Sequence, residues 1–208
     1  MSQFFYVHPD NPQQRNIDTV VEILRAGGVI IYPTDTIYGI GCDITNQKAF
    51  QQVCRIKGVD PKKAQFSFVC SDLSHISDYT KSIDTPTFRL LKKALPGPYT
   101  FILNASKQVP KLMQTKKSTV GIRVPDNNIC RMIVEQLGNP ILSTSLPMDE
   151  DVEYYTDPEI MHDNFENLVD AVIHGGTGSI VSSTIIDCTS GAPELVREGA
   201  GDWENLFS

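Results

Sequence analysis

The sequence is poor in the residues that staple or metallate small proteins. Its 208 residues hold five cysteines, Cys42, Cys54, Cys70, Cys130 and Cys188, with no C-x-x-C pair. An odd count without that spacing speaks against a disulfide framework or a zinc knuckle. Reduced, mostly buried thiols are expected instead. The four histidines, His8, His75, His162 and His174, share no ligand spacing, so no metal site is expected. Long apolar runs are absent too; none reaches the roughly 18–20 residues that span a bilayer. The opening MSQFFYVHPDNPQQR shows no basic stretch followed by an apolar one, so no signal peptide is read. A cytoplasmic protein without membrane contact is expected. G-x-x-x-x-G-K-[ST], G-x-G-x-x-G and G-x-S-x-G are all missing, which removes the usual phosphate-loop, dinucleotide and serine-hydrolase signatures. No Ser-His-Asp or Cys-His set follows from spacing.

Positive charge is the scarcer sign, with 18 Lys and Arg against 25 Asp and Glu, a net charge of −7. Such a chain is a poor general binder of nucleic acid. Its basic residues are uneven, however. Lys57, Lys62 and Lys63 fall close together, as do Lys107, Lys111, Lys116, Lys117 and Arg123, while acids gather at Asp149-Glu150-Asp151. A local positive surface stays open. Hydrophobic residues at 40% and charged residues at 21% are ordinary globular usage. The length suits a single domain over residues 1–208 that buries its core without staples.

Apolar periodicity predicts helices over 14–26, 46–57, 84–94 and 126–138, the last begun by Asp126 and stopped by Gly138. Short β-branched or aromatic runs predict strands at 29–33, 66–70, 99–103, 118–124, 140–145, 169–176, 182–189 and 194–199. TDTIYGIG reads as a loop, and a polar, acidic stretch over 147–167 intervenes. Strands alternate with helices early and cluster late. That order predicts a mixed, twisted α/β sheet with helices packed on it, not a clean doubly wound parallel sheet.

Three segments carry candidate chemistry. PTDTIYG (33–39) puts Thr34, Asp35, Thr36 and Tyr38 in one turn after a buried strand; it is either an Asx-type turn or a ligand loop. Arg123 lies inside the apolar run STVGIRVP. A charge there is costly unless paired, so it meets a ligand or a protein carboxylate. HGGTGSIVSSTIIDCT (174–189) brings glycines and hydroxyls before a strand, either to line phosphate oxygens or as a flexible connection.

Together these segments resemble the YrdC-like (YrdC/YciO) family, most closely its YciO-type members. The pattern P-T-[DE]-T-x-Y-G is matched by Pro33 to Gly39, and Lys-Gly after a helix by Lys57-Gly58. P-G-P-x-T is matched by Pro96 to Thr100, R-x-P by Arg123 to Pro125, S-T-x-x-D by Ser183 to Asp187, and R-x-G by Arg197 to Gly199. The resemblance implies a YrdC-like fold with a concave, locally basic ligand cleft. It implies an L-threonylcarbamoyladenylate synthase-like nucleotidyltransferase. Such an enzyme joins ATP, L-threonine and bicarbonate into threonylcarbamoyl-AMP and pyrophosphate, for threonylcarbamoyladenosine in transfer RNA. By matching position, Thr36, Thr119, Arg123, Ser143 and Ser183 would hold the amino acid. Lys57, Lys63, Ser145 and Arg197 would face the nucleotide, with Lys57 and Arg123 acting catalytically. Mg²⁺ would be held through the phosphates.

The chain departs from the synthase pattern at two places. Val59 stands where Lys-x-Arg has arginine, and Pro147 where Ser-x-Asn has asparagine. Neither side chain can donate to a phosphate, which implies altered or weak synthesis. The competing expectation is a binding module that holds double-stranded RNA or transfer RNA in the same cleft without turnover. The acidic stretch 147–160 is read as a solvated loop or as an anion-repelling lid.

Overall fold

The computed structural model describes residues 2–110, 118–147 and 153–207; Lys111, Lys116, Lys117 and Asp149-Glu150-Asp151 lie outside them. Ten strands form one mixed sheet. They are β1 (Gln3–Tyr6), β2 (Ile30–Tyr32), β3 (Gly39–Asp43), β4 (Ser67–Val69), β5 (Tyr99–Asn104), β6 (Thr119–Arg123), β7 (Ile141–Ser145), β8 (Ala171–His174), β9 (Thr184–Asp187) and β10 (Glu194–Arg197). Their order is β1-β8-β2-β3-β7-β4-β6-β5-β9-β10. The pairs β1–β8, β2–β8, β4–β6 and β5–β9 are parallel. The other five pairs are antiparallel. Among the described residues seven α-helices join them: α1 (Gln14–Arg25), α2 (Gln47–Lys57), α3 (Leu73–Tyr79), α4 (Thr85–Ala94), α5 (Asn128–Leu137), α6 (Glu153–Thr156) and α7 (Pro158–Phe165). No helix among the described residues is long and apolar enough to cross a membrane.

The expected mixed α/β architecture is present, with local differences. Gly39-Ile40-Gly41 is strand rather than loop, because β3 is buried on both faces and shows no alternation to read. Gly41 is required there: a Cβ would run into the Leu142 carbonyl oxygen on β7. α5 is capped by Asn127, whose side chain accepts the Cys130 N–H at 3.0 Å, not by Asp126. Gly138 closes it in a left-handed conformation, as expected. β1 and α3 give weak sequence signals. β1 is half-exposed and exists through its pairing with β8; α3 is short and begins at its Asp72 cap. The part of 147–167 that is described ends in α6 and α7. All five cysteines are free, four of them buried and Cys188 half-buried. Burial pushes the Cys54 thiol up to about 11 and that of Cys130 to about 12, so both are unreactive thiols at neutral pH.

The two faces of the sheet are covered unequally, and this creates the site. One face packs on α2, α3, α4 and α7 through a core that includes Phe50, Phe68, Phe101, Ile122 and Ile186. Each such side chain contributes about 1.5–3 kcal/mol through burial. Among the described residues, the other face packs on α1 and α5 alone. Its apolar cluster draws strand residues from β2, β4, β7 and β8 and none from β6, β5 or β9. Two helices cannot cover ten strands. The uncovered floor over β4, β6, β5 and β9 is a cleft.

Candidate functional site

The cleft has two adjoining lobes. The smaller, about 140 Å³, is lined by Tyr38, Thr100, Arg123, Ser143, Ser183 and Arg197 among others. The larger, about 460 Å³, is lined by Lys63, Phe66, Ile102, Thr119, Gly121 and Asp187 among others. Gln65, Ser67, Thr100 and Ile185 border both. Most side chains in the smaller lobe are hydroxyls. Ser67, Thr100, Ser143 and Ser145 come from same-face positions of neighbouring strands, so one face of the sheet presents them together.

Arg123 ends β6 and reaches the PTDTIYG turn. Its Nη2 donates to Asp35 Oδ1 and to Thr36 Oγ1, both at 2.9 Å. The ion pair is nearly enclosed, with side chains 11% and 9% exposed. Asp35 Oδ2 accepts the Asp126 N–H at 3.0 Å, so one carboxylate stitches the turn to both sides of the bend after β6. Arg123 Nε is buried and has no hydrogen-bond partner among the described residues. Of the two alternatives left open for Arg123, the structure shows the protein carboxylate, Asp35.

Arg197 enters the same lobe from β10. Glu194 pairs with Asp187, Leu195 with Ile186, and then Arg197 with Ile185, so Val196 is an extra residue. Cross-strand partners share a face. Unbroken pairing would put Val196 beside Ile185 and turn Arg197 away; the bulge aims it into the cleft. Its Nη2 and Nε donate to the Ser183 carbonyl at 2.7 and 3.3 Å. Burial, and then the like charge of Arg123, lower its pKa. No carboxylate among the described residues forms an ion pair with it.

Lys57 lies outside both linings. Its ammonium donates to the Ser145 carbonyl at 2.7 Å, to Ser145 Oγ at 3.1 Å and to the Leu146 carbonyl at 3.0 Å. Burial lowers its pKa. Beside it, α2 ends with Gly58 at φ 69°, Gly58 N–H bonded to Arg55 and Val59 N–H to Cys54. Val59 packs on the core. That is a Schellman end with its usual apolar contact, which explains a valine at this position.

Of the residues named from sequence, Arg123, Ser143, Ser145, Ser183 and Arg197 meet in the smaller lobe, and Thr36 joins through Arg123. Thr119 and Lys63 lie in the larger lobe, apart from the other expected amino-acid contacts. Ser143 is held by Tyr32, whose hydroxyl donates to it at 2.6 Å. The glycine-rich loop packs on the PTDTIYG turn. Tyr38 donates to the Gly176 carbonyl at 2.7 Å and accepts the Gly175 N–H at 3.1 Å. A Cβ on Gly178 would strike Tyr38, and one on Gly175 would strike Pro33, each at 2.7 Å. The glycines are packing surfaces that lock two motifs together. Gln65 and Ser67 were missed by motif reasoning. Ser67, a polar residue between Phe66 and Phe68, carried the signal, because its parity places it on the cleft face. No group of three or more metal-ligating side chains occurs among the described residues.

The partly bare sheet face thus gathers two guanidiniums and an array of hydroxyls around one volume. The Sua5/YciO/YrdC family model, described as telomere recombination, matches residues 22–199, and the chain belongs to that family. It is 49% identical over 203 residues to the uncharacterized protein YciO of Escherichia coli strain K12, covering 97% of this chain and 98% of that one. The crystal structure of E. coli YciO superposes with a TM-score of 0.92 at 46% identity, covering 99% of this chain and 100% of that one. A threonylcarbamoyl-AMP synthase of Coxiella burnetii strain RSA 493 is 31% identical over 164 residues, 79% of this chain and 87% of the synthase. The crystal structure of P. abyssi Sua5 complexed with L-threonine shares the fold, with a TM-score of 0.87 at 24% identity. That match covers 99% of this chain and 60% of Sua5.

Proposed function

We propose that the cleft binds a threonine-like amino acid beside an adenine nucleotide and makes threonylcarbamoyl-AMP slowly. The balanced reaction is ATP, L-threonine and bicarbonate to threonylcarbamoyl-AMP, pyrophosphate and water. One observation carries the reading: Arg123, whose buried Nε has no hydrogen-bond partner among the described residues, lines a lobe shared with Arg197. A buried donor without a partner is rare, and two guanidiniums facing one volume call for an anion between them. The carboxylate of the amino acid meets the Arg123 guanidinium, with Thr36, Ser143 and Ser183 around it. Arg197, Ser145 and Lys63 serve the nucleotide. The relation to a synthase at 31% identity supports this assignment.

Catalysis of this kind is positioning and charge stabilisation, with no protein nucleophile. Lys57 fixes the end of β7 through three oxygens and lends charge near the leaving pyrophosphate. Mg²⁺ in such chemistry is carried largely by phosphate oxygens. Val59 and Pro147 supply no donor, and each missing donor costs on the order of 10²–10³ in rate by analogy with oxyanion holes. Slow turnover follows. The modest lobe volumes favour a small ligand over a nucleic-acid duplex.

The test incubates the protein with ATP, L-threonine, bicarbonate and Mg²⁺, and follows pyrophosphate and the adenylate. Slow product formation that disappears in Arg123→Ala supports the reading. No product, with salt-sensitive binding of transfer RNA that Arg123→Ala leaves intact, would replace it with the RNA-binding alternative.

A further inference from the structure

The larger lobe contains a carboxylate that the amino-acid half of the cleft does not use. Asp187 of β9 pairs with Ile102 of β5, which pairs with Gly121 of β6. This row of the floor lies one step beyond the pair Ile185–Thr100, which borders both lobes. Two strand residues separate the rows, about 7 Å along β9. Asp187 is the one carboxylate among the described residues that line either lobe.

Half of that carboxylate is fixed. Oδ1 accepts the Thr189 N–H at 2.8 Å and the Thr189 hydroxyl at 2.6 Å. Oδ2 has no hydrogen bond or ion pair among the described residues. Gly121 keeps the floor beside Ile102 open, because a Cβ there would press on Ser67 Oγ at 2.9 Å. Phe66, Ile102 and Ile185 give the lobe apolar surface, and Lys62, Lys63, Gln65 and Thr119 line it as well. An immobilised carboxylate oxygen in such a place accepts hydrogen bonds and repels phosphate.

A nucleotide whose phosphate is drawn toward Arg197 must pass its sugar into the larger lobe before its base. The first donors it presents one row beyond Ile185 are the ribose hydroxyls. We infer that Asp187 Oδ2 accepts the ribose 2′-hydroxyl, making the larger lobe a ribonucleoside subsite that discriminates against deoxyribonucleotides. This rests on the nucleotide reading above.

Asp187→Asn isolates the atom in question. Asparagine keeps Oδ1 for Thr189 and replaces Oδ2 with an amide that donates. Calorimetric titrations with AMP, 2′-deoxy-AMP and IMP, without metal, are compared for wild type and variant. Wild type should hold AMP about 10- to 100-fold more tightly than 2′-deoxy-AMP, the range that a hydrogen bond to a charged group supports. In Asp187→Asn the ratio should fall to about one through weakened AMP binding. Unchanged 2′-deoxy-AMP affinity in the variant shows that the pocket is still folded. Equal affinities for AMP and 2′-deoxy-AMP in wild type, or discrimination that survives in the variant, would overturn the inference while leaving nucleotide binding in place. A loss that follows IMP rather than 2′-deoxy-AMP would assign Oδ2 to the base amine and overturn the ribose assignment. No binding of AMP or ATP at all would overturn the nucleotide reading together with the inference.

Discussion

Asp35→Ala tests the electrostatics of the cleft most directly. Asp35 is the only anion paired with Arg123 among the described residues, at 2.9 Å, with both side chains about nine-tenths enclosed. Removing it leaves a buried guanidinium that already lacks a partner on Nε and lies close enough to Arg197 to lower the latter's pKa. Breaking a buried pair from one side costs about 3–5 kcal/mol, because the remaining charge is uncompensated. For a domain of this size that is a fall in Tm of roughly 6–20 °C, at about 2–4 °C per kcal/mol. The argument is about the orphaned charge, so removing that charge as well should return part of the loss. Asp35→Ala with Arg123→Ala should be no less stable than Asp35→Ala alone. Urea unfolding of wild type, both single variants and the double variant completes the cycle. A single-variant cost below about 1 kcal/mol, the size of an exposed pair, or strict additivity in the cycle, would refute the reasoning.

Three further outcomes are expected. Exchanging the bulge residues, Val196→Arg with Arg197→Val, moves the guanidinium off the cleft face, so nucleotide binding by calorimetry should drop as it does in Arg197→Ala. Retained affinity would show that the bulge does not aim this side chain. Gly199→Ala puts a Cβ into the backbone of Ser182 and Ser183 and should cost about 1–3 kcal/mol or more; an unchanged Tm would contradict the close packing. The carboxyls of Asp72 and Asp84 are held below the usual range. The Ser74 hydroxyl, followed by the His75 N–H, is responsible for the first, and the Thr87 hydroxyl followed by its N–H for the second. The unfolded chain binds those protons more readily. Their stabilisation is therefore complete above the ordinary carboxylate pKa near 3.8 and is lost as pH falls through the lower folded values. Asp72→Asn and Asp84→Asn should flatten the acid limb of stability against pH, and an identical slope in both would rule this out.

Much of the protein was legible in its residues. Helix faces such as Ile17, Val20, Val21 and Leu24 repeat at the helical period, and Gly58 and Gly138 mark where α2 and α5 stop. These are local properties, decided by backbone sterics and by which face is apolar. The motif order also placed Arg123, Ser143, Ser183 and Arg197 together before any fold was known. What periodicity could not show was that α1 and α5 leave β6, β5 and β9 bare on one side. Nor could it assign Asp35 to Arg123, three oxygens to Lys57, or Tyr38 to the loop at Gly175 and Gly176. Those pairings join residues about ninety to one hundred and forty positions apart. Local sequence therefore determined the elements and the chemical groups available. Only tertiary structure decided which charges are compensated within the chain and which remain for a ligand, because that depends on distances set by strand order and register.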